Sequence, residues 1–194
     1  MLIICLMLGY LLGNVQFAVI FSRLLYHDDV RQHGSGNAGS TNMLRVFGLK
    51  SGLLTFVGDF LKGVAAVLIG RWLAGDPGGY VMALGVVLGH DFPVFLKFHG
   101  GKGVASTLGI VWCINPLFGA ITTFFGVGVA AISRMVSLGS LVGAGVFLLQ
   151  ALFFSNDRYL ALLAIVLCGL LVLRHLENIR RIFAGQESKL NLKK

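Results

Sequence analysis

Long apolar runs, separated by short polar breaks that often carry Gly, Pro, Arg or Lys, set the pattern of this chain. Several runs approach the ~20 residues a helix needs to cross the hydrocarbon core of a bilayer. The pattern predicts helices at about 1–22, 51–72, 79–96, 103–114, 117–132, 136–154 and 158–173. The fourth and fifth are short and meet at Asn115-Pro116. Proline interrupts a regular helix, so this dipeptide is either a kink in one span or a turn between two. The first run has no basic residue ahead of it and no small-residue cleavage site, so it is read as a first helix rather than a removable signal.

Charge placement chooses between the two topologies. With seven spans, one face receives Arg23, Arg31, Arg45, Lys50, Lys97, Lys102, Arg134, Arg174, Arg180, Arg181, Lys189, Lys193 and Lys194, and the other only Arg71 and Arg158. A single kinked span would put Arg134 and the basic tail on faces that break this asymmetry. The expected architecture is therefore an all-α integral membrane protein of seven transmembrane helices, two of them short. Its N-terminus is outside and its C-terminus cytoplasmic.

Composition agrees: 56% of the residues are hydrophobic, 12% are charged, and the mean hydropathy is +0.85. That is the balance of one membrane domain over residues 1–194, without a soluble appendage. The net charge of +8 belongs to the loops and tail, which is positive-inside placement rather than a nucleic-acid surface. Pairs of small residues four apart, Gly9/Gly13, Gly85/Gly89 and Gly139/Gly143, suit close helix packing. Cys5, Cys113 and Cys168 lie in apolar runs without C-x-x-C spacing and read as packing residues.

Four polar segments fall on the expected cytoplasmic face. The longest, His27 to Lys50, contains Gly34-Ser35-Gly36-Asn37-Ala38-Gly39-Ser40-Thr41-Asn42, a composition that favours a tight turn presenting N–H groups and hydroxyls to a phosphate. A flexible linker is the plain alternative, though the asparagines and the following Arg45 are unusual in a spacer. The second runs through Gly89-His90-Asp91-Phe92-Pro93 to His99-Gly100-Gly101-Lys102-Gly103, just ahead of a helix start, and suits an anion or a plain interfacial turn with a snorkelling lysine. The third, Arg174 to Arg181, places His175 and Asn178 three apart on one helical face, and could equally bind lipid headgroups. Arg134, Ser137 and Ser140 form the fourth. Together these segments supply Arg, Lys, His, Asn and hydroxyls with few carboxylates, an inventory for binding anions. Asp59 and Lys62, one turn apart inside the second span, are either a buried pair or a functional one.

The segments Gly34–Asn42, His99–Ala105 and Arg174-His175 to Asn178 resemble the three motifs of the bacterial acyl-phosphate:glycerol-3-phosphate acyltransferases. The resemblance covers essentially the whole chain, including the edge from Ser133-Arg134 to Ser140. It implies a seven-helix enzyme that moves a fatty acyl group from acyl phosphate to the sn-1 hydroxyl of glycerol 3-phosphate. The products are lysophosphatidic acid and phosphate, the first step of membrane phospholipid synthesis. It further implies a monomer in the bacterial inner membrane, with its site on the cytoplasmic face and no metal, coenzyme A or other cofactor. Carried over position by position, Gly34, Ser35, Gly36, Asn37, Gly39, Thr41 and Asn42 would hold the acyl phosphate, with Ser35 catalytic. Arg45, Lys102 with Gly103, and Ser140 would bind the phosphate of glycerol 3-phosphate, and His175 and Asn178 would stand at the reaction centre.

Other classes fail on spacing. Gly34-x-Gly36-x-x-Gly39 imitates a dinucleotide fingerprint, but no strand precedes it and Asp59 falls in an apolar helix; Gly100 to Gly103 lacks the Ser or Thr of a P-loop. Acyltransferases that pair His with Asp five positions on are excluded, because none of the five histidines has Asp or Glu there. No G-x-S-x-G elbow exists, and the eight acidic residues form no cluster for the divalent metal of an alcohol phosphatidyltransferase. A transporter for a phosphorylated metabolite would line both faces with polar groups, whereas the outer loops are short and bare. A purely structural subunit leaves the four polar segments unexplained.

Overall fold

The first apolar run is not one helix. In the computed structural model, which describes residues 1–190, α1 (Leu2–Gly13) stops at Asn14 and α2 (Phe17–Tyr26) starts after an extended Gln16. The two still form one 25-residue apolar stretch long enough to span. The break frees backbone carbonyls at Gly13 and Val15: the neighbouring Gln16 Nε2 donates to Gly13 O at 3.1 Å, and Lys62 Nζ, from further along the chain, to Val15 O at 2.8 Å. The Lys62 partner of the break lies 47 positions away, beyond the reach of any pattern within residues 1–22.

After a 3-10 turn over Val30–Gln32 and the short α3 (Ser40–Phe47), α4 runs from Leu49 to Asp91. It is broken at Ala74 and Gly75, where Gly75 has φ +64° and Pro77 follows. A Cβ on Gly70 would strike the Gly78 carbonyl, so the arms 49–73 and 76–91 fold back on each other. Gly9 and Gly13 of α1 meet this second arm at Met82, Val86 and Gly89, and Gly85 and Gly89 meet Leu6 and Tyr10 in return. The two small-residue pairs are thus one interface, where missing side chains bring backbones into contact. Tyr10 Oη donates to Phe92 O at 2.8 Å and fixes the register of that contact at its loop end.

A second 3-10 turn, Val94–Leu96, precedes α5 (Val104–Ile114). At about 1.5 Å per residue its 11 residues cover roughly half a hydrocarbon core. Asn115 is extended and caps α6 (Pro116–Ser133) by accepting from Phe118 N at 3.1 Å, with Pro116 in the first turn where its missing N–H costs nothing. The dipeptide is therefore a boundary between two helices. The fifth expected helix is also not short: its 18 residues are long and apolar enough to cross. Arg134, left-handed at φ +61°, turns the chain into α7 (Val136–Phe153), and Asp157 caps α8 (Arg158–Arg174) through Tyr159 N and Leu160 N. The last helix bends by 60° at His175 into α9 (Leu176–Phe183), so Arg174 to Arg181 is not a straight helix end.

The described residues hold helices and turns with no strand, and the protein is an integral membrane protein. Four helical stretches are long and apolar enough to span, five if the bent α8–α9 pair is one span. Lys193 and Lys194, counted above on the cytoplasmic face, lie outside the described residues. The chain forms two compact units, Met1–Ile110 and Val111–Leu190, with the boundary inside α5. In the first, α1 packs on α4; in the second, Gly139 and Gly143 of α7 pack on α6, where Gln150 Nε2 also donates to Phe118 O at 3.3 Å.

Candidate active site

In the first unit, the Gly34–Asn42 loop is built around the side chain of Asn42. Its Oδ1 accepts from Ser35 N at 2.9 Å, and its Nδ2 points at the carbonyls of Val30 (3.0 Å), His33 (3.0 Å) and Asn37 (3.1 Å). One buried amide thereby closes the turn on four backbone groups. Gly34 has φ +60°, and a Cβ there would also run into Asn42 Oδ1, so this position is glycine on two counts. Asn37 Nδ2 reaches Ser35 Oγ at 3.3 Å. Ser35 and Gly36 are exposed, and Asn37, Gly39 and Thr41 partly so.

Gly39 is the N-cap of α3, so the first-turn N–H groups of Ser40 and Thr41 have no acceptor within the helix and carry its positive end. Arg45 follows one turn on, exposed. Asn42 belongs to the same helix, but its amide atoms are spent inside the loop and hold its shape.

The second glycine loop packs directly on the first. Gly101 N donates to His90 O at 3.0 Å. A Cβ on Gly101 would run into His90 Nε2 and stand 2.9 Å from Ala38 O, so this residue is wedged between the His90 ring and the first loop. Lys102 is partly buried, and Gly103 turns the chain into α5 at φ +67°. An open groove of about 250 Å³ next to the loops is lined by Asp29, Arg31, Gln32, Gly36 and His99. The Arg31 guanidinium grips Asp29 at 2.7 and 3.0 Å, which holds that carboxyl well below the usual carboxylate range despite its partial burial and raises the Arg31 pKa in return. Asp59 and Lys62 are a buried pair at 2.7 Å, as their spacing allowed.

In the second unit, His175 sits at the α8–α9 bend, buried, with Nδ1–H donating to Leu171 O at 2.8 Å. That fixes the tautomer in which Nε2 is the basic nitrogen. Asn178 is buried on α9, and its Nδ2 donates to Glu187 Oε1 at 2.6 Å. His175 caps the N-terminus of α9 and its carbonyl accepts from Ile179 N at 2.8 Å, so Asn178 follows it in the first turn of that helix. Ser140 Oγ donates to Val136 O at 2.9 Å on its own helix, and Ser137 Oγ to Glu187 Oε1 at 2.7 Å.

Glu187 was not expected to matter. It accepts from Ser137, Asn178 and Arg181 (Nε, 2.8 Å), and Leu190 N donates to Arg134 O at 2.7 Å, so the segment after α9 is tied back to the start of α7. Burial alone would raise the Glu187 carboxyl, but the hydrogen bonds from Ser137, Arg181 and Asn178 outweigh it and hold the group below its ordinary value. No local pattern in a polar tail announces such a residue.

Chemically, the first unit offers exposed backbone N–H groups, hydroxyls, a helix N-terminus and the cations Arg45 and Lys102, a set for binding phosphoryl oxygens. The second offers an imidazole whose Nδ1–H is committed to Leu171 O and a held carboxamide. Comparison with known proteins shows the family. The family model described as glycerol-3-phosphate acyltransferase matches residues 3–185. The glycerol-3-phosphate acyltransferase of Thermoanaerobacter sp. (strain X514) is 44% identical over 96% of this chain and 94% of its own length; that of Clostridioides difficile (strain 630) is 40% identical over 99% and 97%. Among solved structures, the crystal structure of PlsY, an integral membrane glycerol 3-phosphate acyltransferase, superposes in its glycerol 3-phosphate form with a TM-score of 0.92. It is 35% identical and covers 98% of this chain and 96% of that one. The lysophosphatidic acid form of the same protein gives a TM-score of 0.90 at 34% identity.

Proposed function

Since this chain belongs to the glycerol-3-phosphate acyltransferase family, we propose that it acylates the sn-1 hydroxyl of glycerol 3-phosphate with acyl phosphate as donor, releasing lysophosphatidic acid and phosphate. The observation that carries the reading is the packing of two glycine-rich loops on each other, with Arg45 and Lys102 flanking them. Both substrates present phosphoryl oxygens, and this is the part of the chain built to receive them.

Acyl phosphate is a mixed anhydride, so its leaving group is good and the protein chiefly positions the hydroxyl and stabilises developing charge. The Gly34–Asn42 loop receives the phosphate of the donor, with Ser35, Asn37, Gly39 and Thr41 offering N–H groups or side chains, Gly36 making the turn at φ +73° and Asn42 holding it. Arg45 and Lys102, the latter presented by Gly103, bind the phosphate of glycerol 3-phosphate. The sn-1 oxygen attacks the acyl carbon, the bond from that carbon to the phosphate oxygen breaks, and the hydroxyl proton passes to a phosphate oxygen of the substrates. Ser140, His175 and Asn178 lie in the second unit, and their roles follow the family's motifs: Ser140 on the phosphate of glycerol 3-phosphate, His175 and Asn178 at the reaction centre. Loss of all activity of His175→Ala across pH, with substrate binding intact, would contradict proton transfer to phosphate and make His175 the base.

The charge asymmetry between loops supports seven crossings, with the N-terminus outside, the C-terminus in the cytoplasm and the reaction on the cytoplasmic face of a bacterial inner membrane. Competition between donors tests the reading. Purified protein in lipid, given long-chain acyl phosphate or acyl-coenzyme A with glycerol 3-phosphate, should form lysophosphatidic acid from acyl phosphate alone. Equal use of acyl-coenzyme A would refute the donor assignment.

A further inference from the structure

Beneath the two glycine loops lies a charged cluster that the chemistry above does not use. Lys62 is 4% exposed; its ammonium donates to Val15 O at 2.8 Å and Gly13 O at 3.5 Å, meets His90 Nδ1 at 2.8 Å, and pairs with Asp59 Oδ1 at 2.7 Å. An ammonium has three protons to donate and nothing to accept with. His90 Nδ1 must then be the acceptor, which leaves the proton of the neutral ring on Nε2. The same residue is pinned through its backbone, since His90 O accepts from Gln16 Nε2 at 3.0 Å and from Gly101 N at 3.0 Å. Its Nε2 edge presses on Gly101, which leans in turn on Ala38 O of the first loop.

We propose that Asp59, Lys62 and His90 are positioning residues that set the spacing of the two phosphate loops, by clamping the His90 ring under Gly101 and Gly101 against Ala38. A buried ion pair is a costly way to gain stability, since apolar residues of similar volume do as well or better. Its advantage here is geometric, because a saturated ammonium fixes the break between α1 and α2, the second arm of α4 and the ring of His90 at one point. A shift of about 1 Å at this point moves one phosphate site against the other, and errors of that size cost rates on the order of a hundredfold when two reactants must meet.

The proposal rests on the acyl-transfer reading for its consequence but not for its geometry, and the test separates the two. His90→Asn keeps an acceptor for Lys62 while withdrawing the ring edge from Gly101. The double variant Asp59→Asn/Lys62→Met removes both charges together, so neither is left buried alone. Hydrogen exchange in lipid nanodiscs should quicken at least tenfold at residues 34–42 and 99–103 in both variants, with α6 and α7 unchanged. KM for glycerol 3-phosphate should rise at least fivefold, a change that a smaller folded fraction cannot produce. Unchanged loop exchange, faster exchange throughout the chain, or an unchanged KM would each overturn the proposal. If the wild type transfers no acyl group, the functional reading fails while the exchange data still decide whether the cluster holds the loops.

Discussion

Asn42 separates a residue that binds phosphate from one that builds the place where phosphate binds. Its side chain is 1% exposed and bonds four backbone groups: Oδ1 accepts from one, and the two Nδ2 protons are shared among three carbonyls. In Asn42→Ala the Val30 carbonyl is left buried without this partner, at a cost of about 1–3 kcal/mol, while Ser35 N and the His33 and Asn37 carbonyls lie near enough to the surface to recruit water, each losing about 0.5 kcal/mol. The sum, about 3 kcal/mol, falls on the loop and corresponds to an increase on the order of a hundredfold in its open population. Asn42→Asp should be worse, because a carboxylate keeps the bond from Ser35 N but turns an oxygen toward three carbonyl oxygens. The assay is hydrogen exchange at Ser35 and Gly36 beside kcat/KM with varied acyl phosphate. Both variants should lose protection and activity together, with Asp below Ala. Wild-type protection in Asn42→Ala alongside a raised KM would refute this reasoning and make Asn42 a direct ligand.

Gly101→Ala should lower kcat/KM by about 10- to 100-fold, the effect of roughly 1–3 kcal/mol of overpacking against His90 and Ala38, with little change in thermal stability. Arg45→Ala should raise KM for glycerol 3-phosphate at least tenfold, and Arg45→Lys should recover only part of it because an ammonium cannot grip a phosphate bidentately. Glu187→Gln should lower the melting temperature by a few degrees at neutral pH. The Glu187 pKa is depressed in the folded protein, so its contribution is present above its ordinary value near 4.5 and is lost as pH falls through the lower folded value; the two melting curves should converge in acid.

Local chemistry carried much of this architecture. Apolar runs marked nearly every helix, Asn115-Pro116 read correctly as a discontinuity, and the glycine pairs marked a close-packed face, although which pair met which depended on contacts some seventy residues apart. That Gly34–Asn42 and the segment before α5 form turns was likewise legible, because glycine-rich composition is local. What escaped was set by distance along the chain. The break at Asn14 to Gln16 is satisfied by Lys62 and answers to His90, and the inward turn of Asn42 depends on carbonyls up to twelve residues back. The 60° bend at His175 turns the chain into α9, and no run of residues on either side of it announces the turn. Glu187 draws donors from 6, 9 and 50 positions away, and no window of sequence joins them.

The central claim is direct transfer from acyl phosphate to glycerol 3-phosphate, and phosphate release tests it most directly. Folded protein in lipid should release phosphate from long-chain acyl phosphate only when glycerol 3-phosphate is present, one phosphate for each lysophosphatidic acid formed. Release without glycerol 3-phosphate, or no lysophosphatidic acid when it is present, would contradict the account.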